Sequence, residues 1–154
     1  MRVTSPVPGT VRALDSVPDR VFAERVVGPG CAVEPSRTAV QHVVAPIDGV
    51  VTALHPHAFA VQGADERTVL VHLGIDTVRL AGAGFEVHVL AGQEVRAGER
   101  VVTWSPVDVA AAGLATACPV VALQAAPDDL TLLLDPGETV AAGQPLLEWT
   151  DPTG

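Results

Sequence analysis

Three of the five histidines fall in one short stretch, HPHAFAVQGADERTVLVHLGID, residues 55–76. Imidazole titrates in the physiological range, so it can bind metal, move protons or attack phosphorus. Two imidazoles side by side can ligate a metal with further ligands. They can share acid–base work. One can attack phosphorus while the other steadies the phosphoryl oxygens by hydrogen bonding. The bland alternative is a cross-strand polar pair with no chemistry.

Which of these applies depends on whether the rings meet. Residues 57–62 and 68–73 read as two antiparallel strands around GADE. A two-residue loop at Ala64–Asp65 predicts that Val61 faces Thr68, Phe59 faces Leu70 and His57 faces His72. Directly opposed side chains share a face, with Cβ atoms about 4.5–5.5 Å apart. A slip of one residue would send the two rings to opposite faces. The expectation of an imidazole pair therefore rests on this register.

The flanks add a docking role. Gly74 lets backbone come close, and Asp76 can grip an arginine of a partner by bidentate hydrogen bonds. Phe59, Leu73, Ile75, Val78 and Phe85 surround the histidines and, where exposed, form an apolar patch for a partner. The competing reading of these five is core, as for most apolar residues. His42 and His88 have no partner visible in sequence and read as structural.

The frame that must hold this site is β-rich. The chain has 154 residues, 48% hydrophobic, 18% charged and only 3% aromatic, so Val, Leu and Ala fill the core. Fourteen glycines and 13 prolines are spread along it, as expected for many short strands and turns. Candidate strands are 8–14, 20–26, 39–43, 48–54, 57–62, 68–73, 78–81, 86–90, 100–104, 119–123, 131–134 and 146–149. A helical turn or two is expected at 107–113. Two echoes run through the sequence: SPVPGTVRAL (5–14) returns as APIDGVVTAL (45–54), and GQEVRAGERVV (92–102) returns as GETVAAGQPLL (137–147). They point to duplicated β-units. The expected fold is an all-β antiparallel sandwich or flattened barrel, one domain over 1–154 with residues 150–154 frayed.

Composition also excludes. The net charge is −9, and all nine positive residues are Arg. A basic face for nucleic acid is missing. Without Lys there is no Schiff base and no lipoyl or biotinyl arm. Cys31 and Cys118 lack CxxC spacing and read as two buried, reduced thiols. No apolar run approaches the ~20 residues of a membrane helix, and MRVTSPVPGT has no signal-peptide core. The expected location is cytoplasmic.

Taken in order, SPVPGTV, DRVFAERVVGPGCAVEP, APIDGVV, HAFAV, VLVHLGIDTVRLAGAGF and GQEVRAGERVV resemble the glucose-type enzyme IIA family of the bacterial phosphoenolpyruvate:sugar phosphotransferase system. The resemblance covers nearly the whole chain, and HLGIDTV followed by L-x-G-x-GF is its most specific part. It implies a β-sandwich of duplicated hybrid motif type and a soluble phosphocarrier for sugar uptake. His72 matches the histidine that accepts a phosphoryl group on Nε2 from HPr. His57 matches the neighbour that hydrogen-bonds the phosphate. The acceptor is a cysteine of a IIB domain of a membrane sugar permease, and regulatory proteins are further partners of the family. No cofactor is implied beyond the transient phosphoryl group, although such sites can recruit zinc between His57, His72 and a partner's carboxylate. Two positions depart from the pattern. His55 stands where a threonine often joins the active-site hydrogen bonds, so His55 is a candidate donor. Pro29 stands where an acid helps to bind HPr.

The alternative is a zinc-dependent hydrolase. HPH is an H-x-H pair, and His55, His57 and His72 on one face would hold Zn²⁺ with an open position.

Overall fold

The computed structural model describes residues 1–150. Fourteen short strands run antiparallel: β1 (Arg2–Thr4), β2 (Gly9–Ala13), β3 (Gly30–Pro35), β4 (Gln41–Val44), β5 (Gly49–His55), β6 (Ala58–Gln62), β7 (Thr68–His72), β8 (Phe85–Val87), β9 (Glu94–Val95), β10 (Arg100–Trp104), β11 (Cys118–Ala122), β12 (Leu130–Leu132), β13 (Thr139–Val140) and β14 (Pro145–Trp149). Two short helices, α1 (Arg20–Ala23) and α2 (Pro106–Ala111), and three 3₁₀ turns complete it. One sheet has the order β13-β2-β3-β11-β7-β6-β5-β9, and two three-stranded sheets have the orders β1-β14-β12 and β4-β10-β8. The result is a flattened β-sandwich.

The sequence echoes are structural repeats. The order of the large sheet reads symmetrically about the β11–β7 junction. Gly9 faces Val140 in one half and Gly49 faces Val95 in the other. Val11 N–H donates to Glu138 O and Val51 N–H to Gln93 O, each at 2.9 Å. The carbonyls of Val11 and Val51 accept from Gly137 and Gly92 in turn. A Cβ on Gly9 would run into the Glu34 carbonyl, and one on Gly49 into the Gln62 carbonyl. Glycine is needed at both because the partner strand's backbone occupies that space.

Each face of the large sheet has its own cover. Strand alternation sends Val11, Val33, Val51, Phe59, Val61, Val69, Val71 and Val120 into the main core, with Trp104 and Trp149 from the smaller sheets. Ala32 and Val121 face the other way. Leu14, Val17 and Phe22, from the long β2–β3 connection, cover them in a second cluster that includes Ile75. His72 and Leu70 lie on this second face, since alternate residues of β7 share a side.

Several elements differ from expectation. The segment 20–26 is helix α1 (Arg20–Ala23) and a following turn rather than a strand, because the Asp19 carboxylate accepts from Val21 N–H at 2.9 Å and Phe22 N–H at 3.4 Å and caps the helix. The segment 78–81 is not a strand: residues 78–80 belong to a 3₁₀ turn, Thr77–Leu80, bracketed by left-handed Asp76 and Ala81. Strand β3 hides behind GPG, which reads as a turn, and β1, β9 and β13 are too short to show periodicity. Helix α2 begins at Pro106 itself, with the Ser105 hydroxyl accepting from Asp108 N–H at 3.1 Å. Of the expected frayed tail at 150–154, Thr150 donates to Asp129 O at 2.8 Å, and the rest lies outside the described residues. Cys31 and Cys118 are buried free thiols on the neighbouring strands β3 and β11, and burial pushes the Cys31 thiol up to about 12.

Candidate functional site

The β6–β7 hairpin does not have the expected register. Ala58, not His57, faces His72, and Phe59 faces Val71. The cause is the loop. Gly63 N–H donates to Arg67 O at 2.9 Å, Glu66 N–H donates to Gly63 O at 3.0 Å, and Glu66 is left-handed at φ 67°. That is a three-residue loop, Ala64–Glu66, which moves every pair by one position. Arg67 fixes it by donating from Nε to Asp65 and from its guanidinium to Trp149 O at 2.6 Å.

The two imidazoles meet nevertheless. Strand β5 ends at His55 and β6 begins at Ala58, so Pro56 and His57 form a bend in which strand alternation does not hold. The His57 carbonyl accepts from Leu73 N–H at 2.7 Å, which ties the bend to the end of β7. The His57 and His72 rings lie 5.2 Å apart between centroids, 71° between planes. The hairpin register thus differs from the expected one, and the bend rather than the strand ladder makes the rings adjacent.

The His72 ring is oriented from behind. Its Nδ1 lies 2.5 Å from the Gly74 carbonyl. A carbonyl only accepts, so Nδ1 carries the proton and Nε2 keeps its lone pair. Burial lowers the His72 pKa, while the Gly74 bond and the charges of Asp19 and Asp76 pull it back upward. Phe22 of α1 packs on the ring, with centroids 5.2 Å apart and tilted by 59°. The His57 pKa is also lowered, first by burial and then by His72 and His55. The exposed His55 ring lies 5.7 Å from His57, so three imidazoles stand in a row from half-buried to solvent.

The expected apolar patch needs correction. Phe59 is 0% exposed, and Leu73 and Ile75 are buried as well. The shifted register turns Phe59 to the main core, and the bend at Gly74 sends Leu73 there and Ile75 to the second cluster. Phe85 is half-buried and stacks on Trp104, centroids 6.0 Å apart. Val78 alone among the five offers a wide surface, at 63% exposure, beside exposed Asp76. Val21 and Val26, flanking Phe22, add exposed apolar surface that the sequence reading did not single out.

Asp19 and Phe22 are also additions to the site. Residues 20–26, which include Phe22, read as a strand, and the signal that finds both residues is an Asp N-cap after Pro18. His42 and His88 stand apart, each bonded to Thr103 Oγ1, at 3.0 and 2.6 Å. Among the described residues, no group of three or more His, Cys, Asp or Glu is placed to hold a metal ion. The three-histidine zinc centre of a hydrolase finds no support in this geometry.

An imidazole with Nδ1–H locked, Nε2 open and a second ring alongside is chemically able to act as a nucleophile through Nε2. The sequence model of the phosphoenolpyruvate-dependent sugar phosphotransferase system, EIIA 1, matches residues 1–127. The chain belongs to this family. It is 36% identical over 104 residues to the glucose-specific EIIA component of Bacillus cereus, covering 66% of this chain and 61% of that protein. It is 43% identical over 121 residues to the glucose-specific EIICBA component of Streptococcus pneumoniae, covering 77% of this chain and 16% of that protein. Curated relatives such as these are thus matched over less than two thirds of their own length. The fold superposes on the glucose permease IIA of Mycoplasma capricolum with a TM-score of 0.84 at 34% identity, covering 96% of this chain and 94% of that one. The EIIA fold therefore accounts for the whole described sandwich. No helix among the described residues is long and apolar enough to cross a membrane.

Proposed function

We propose that this EIIA-family protein is a cytoplasmic phosphohistidine carrier of the sugar phosphotransferase system. Nε2 of His72 attacks the phosphorus of a phosphohistidine on HPr. A new N–P bond forms as the donor's N–P bond breaks, and that electron pair returns to the donor nitrogen. His57, held neutral, donates an N–H to the phosphoryl oxygens, with His55 as a further donor behind it. The phosphoryl group then passes to a cysteine of a IIB domain, which serves a membrane sugar permease. Relatives that carry EIIB and EIIC in the same chain favour that acceptor.

The observation that carries the reading is the Nδ1–Gly74 bond, which leaves Nε2 as the only nucleophilic nitrogen of His72. Positioning and charge neutralisation supply most of the catalysis in such transfers. Exposed Val78 beside the Asp76 acid, and exposed Val21 and Val26 on the segment of Phe22, are apolar and acidic surface suited to a partner's arginine.

The test is incubation with phosphoenolpyruvate, enzyme I and HPr. An acid-labile, alkali-stable phosphate on His72 is expected. His72→Ala abolishes labelling, and His57→Gln accepts phosphate but passes it on poorly. Labelling that survives the loss of His72 would falsify the assignment.

A further inference from the structure

The His72 tautomer depends on one carbonyl, and that carbonyl sits in a bend without regular structure. Three successive peptides make the bend, and each is pinned by a hydrogen bond. The His72–Leu73 peptide donates its N–H to His57 O at 2.7 Å. The Gly74–Ile75 peptide donates its N–H to Ala115 O at 2.9 Å and offers its carbonyl to His72 Nδ1. The middle peptide is held by a side chain: the Thr77 hydroxyl donates to Leu73 O at 2.7 Å. Thr77 is only 1% exposed, far from water that could replace it. Its methyl also closes on Gly74, where an added Cβ would come within 2.7 Å of Thr77 Cγ2. One non-glycine residue of the segment, Asp76, is held left-handed at φ 61°, and Gly74 beside it has the freedom to change conformation.

We propose that Thr77 is a positioning residue for phosphoryl transfer. Its hydroxyl fixes the peptide between the one that joins His72 to His57 and the one that sets the His72 tautomer. Loss of that bond lets the Leu73–Gly74 peptide rotate and carries the Gly74 carbonyl away from Nδ1. The proton is then free to occupy Nε2, which removes the nucleophilic lone pair. Thr77 touches neither donor nor phosphoryl group, so its effect is on the ring alone. This rests on His72 as the acceptor.

The experiment compares the full chain with Thr77→Val, which keeps the shape and removes the hydroxyl, and Thr77→Ser, which keeps the hydroxyl. Ring ¹⁵N shifts report the His72 tautomer. Acceptance rates are measured with phosphoramidate, a small donor that needs no docking surface, and with phospho-HPr. For Thr77→Val the Nδ1–H tautomer loses population and acceptance slows about tenfold with both donors, the scale of one lost buried hydrogen bond. KM for phospho-HPr stays unchanged and kcat falls. Thr77→Ser keeps the wild-type tautomer and a rate within about twofold. A folded Thr77→Val with the wild-type tautomer and rate overturns the proposal. So does a Thr77→Ser that loses the tautomer or slows about tenfold, which decides the matter even where the Val variant fails to fold. Wild-type protein that takes no phosphate on His72 overturns the carrier reading instead.

Discussion

His57 and His72 meet edge to face, 5.2 Å between centroids, although the hairpin pairs His72 with Ala58. The pairing of the rings is made by a bend at Pro56 and a backbone bond from Leu73 to His57, outside the ladder. Mutations that disturb the bend therefore act on the site without unzipping the sheet.

Burial lowers the pKa of both rings, and this couples stability to pH. An unfolded imidazole titrates at about pH 6.5. Below that, the unfolded chain binds protons that the native rings refuse. Their contribution is full above about pH 6.5 and is lost as pH falls through the lower native values. The urea midpoint is expected to drop between pH 7.5 and 5, and a His57→Gln, His72→Gln double variant to drop less. Equal slopes would count against buried neutral rings.

Asp19 has two tasks that substitution separates. Asp19→Ala removes the cap of α1 and costs about 1 kcal/mol, and it unseats Phe22 from His72. Asp19→Asn keeps an oxygen for the Val21 and Phe22 amides and removes only the charge. The expected result is near-normal stability with a His72 midpoint moved further down, since Asp19 pulls that midpoint up. An NMR titration that finds the midpoint unmoved in Asp19→Asn rejects the electrostatic part.

Phe59 and Val78 should respond in opposite ways. Phe59→Ala is expected to cost about 3–5 kcal/mol in chemical unfolding, as for other buried aromatics. Val78→Ser should leave stability within about 0.5 kcal/mol and weaken partner binding measured by calorimetry. Weakened binding in a stable Phe59→Ala would restore the docking role that its burial removes.

Gly74 tolerates no side chain. Its φ of 75° and the closeness of Thr77 Cγ2 and Ala115 O, at 2.7 and 3.0 Å from an added Cβ, predict that Gly74→Ala lowers stability by about 1–3 kcal/mol. It should also slow acceptance on His72, read with a small phosphoryl donor. A variant as stable and as fast as wild type would show that the bend yields freely.

How far the sequence discloses this molecule varies with the kind of signal. The repeats were legible because each half needs Gly where backbones touch and Val where they face the core. The histidine pair was legible as a pair, but its geometry was not. Whether GADE closes with two or three loop residues depends on one left-handed residue, Glu66, and on Arg67 reaching Trp149 at the other end of the chain. Helix α1 was missed because VFAERVV has strand-like β-branched residues, and a cap with burial of Phe22 overrode them. The exposed patch was overestimated for a similar reason. Leu73 and Ile75 follow an exposed-looking HLGID pattern, yet the bend at Gly74 delivers each to a different core.

The symmetry of the large sheet stops at its connections. Where one half closes β5 to β6 with two residues and places a histidine there, the other half joins β2 to β3 with sixteen residues, 14–29, that wander across the sheet and lend Phe22 and Asp19 to the first half's histidine. Twin scaffolds have thus divided their labour. One supplies the reactive ring and the other its wall, so reshaping the long link alone can retune reactivity while the paired framework stays untouched.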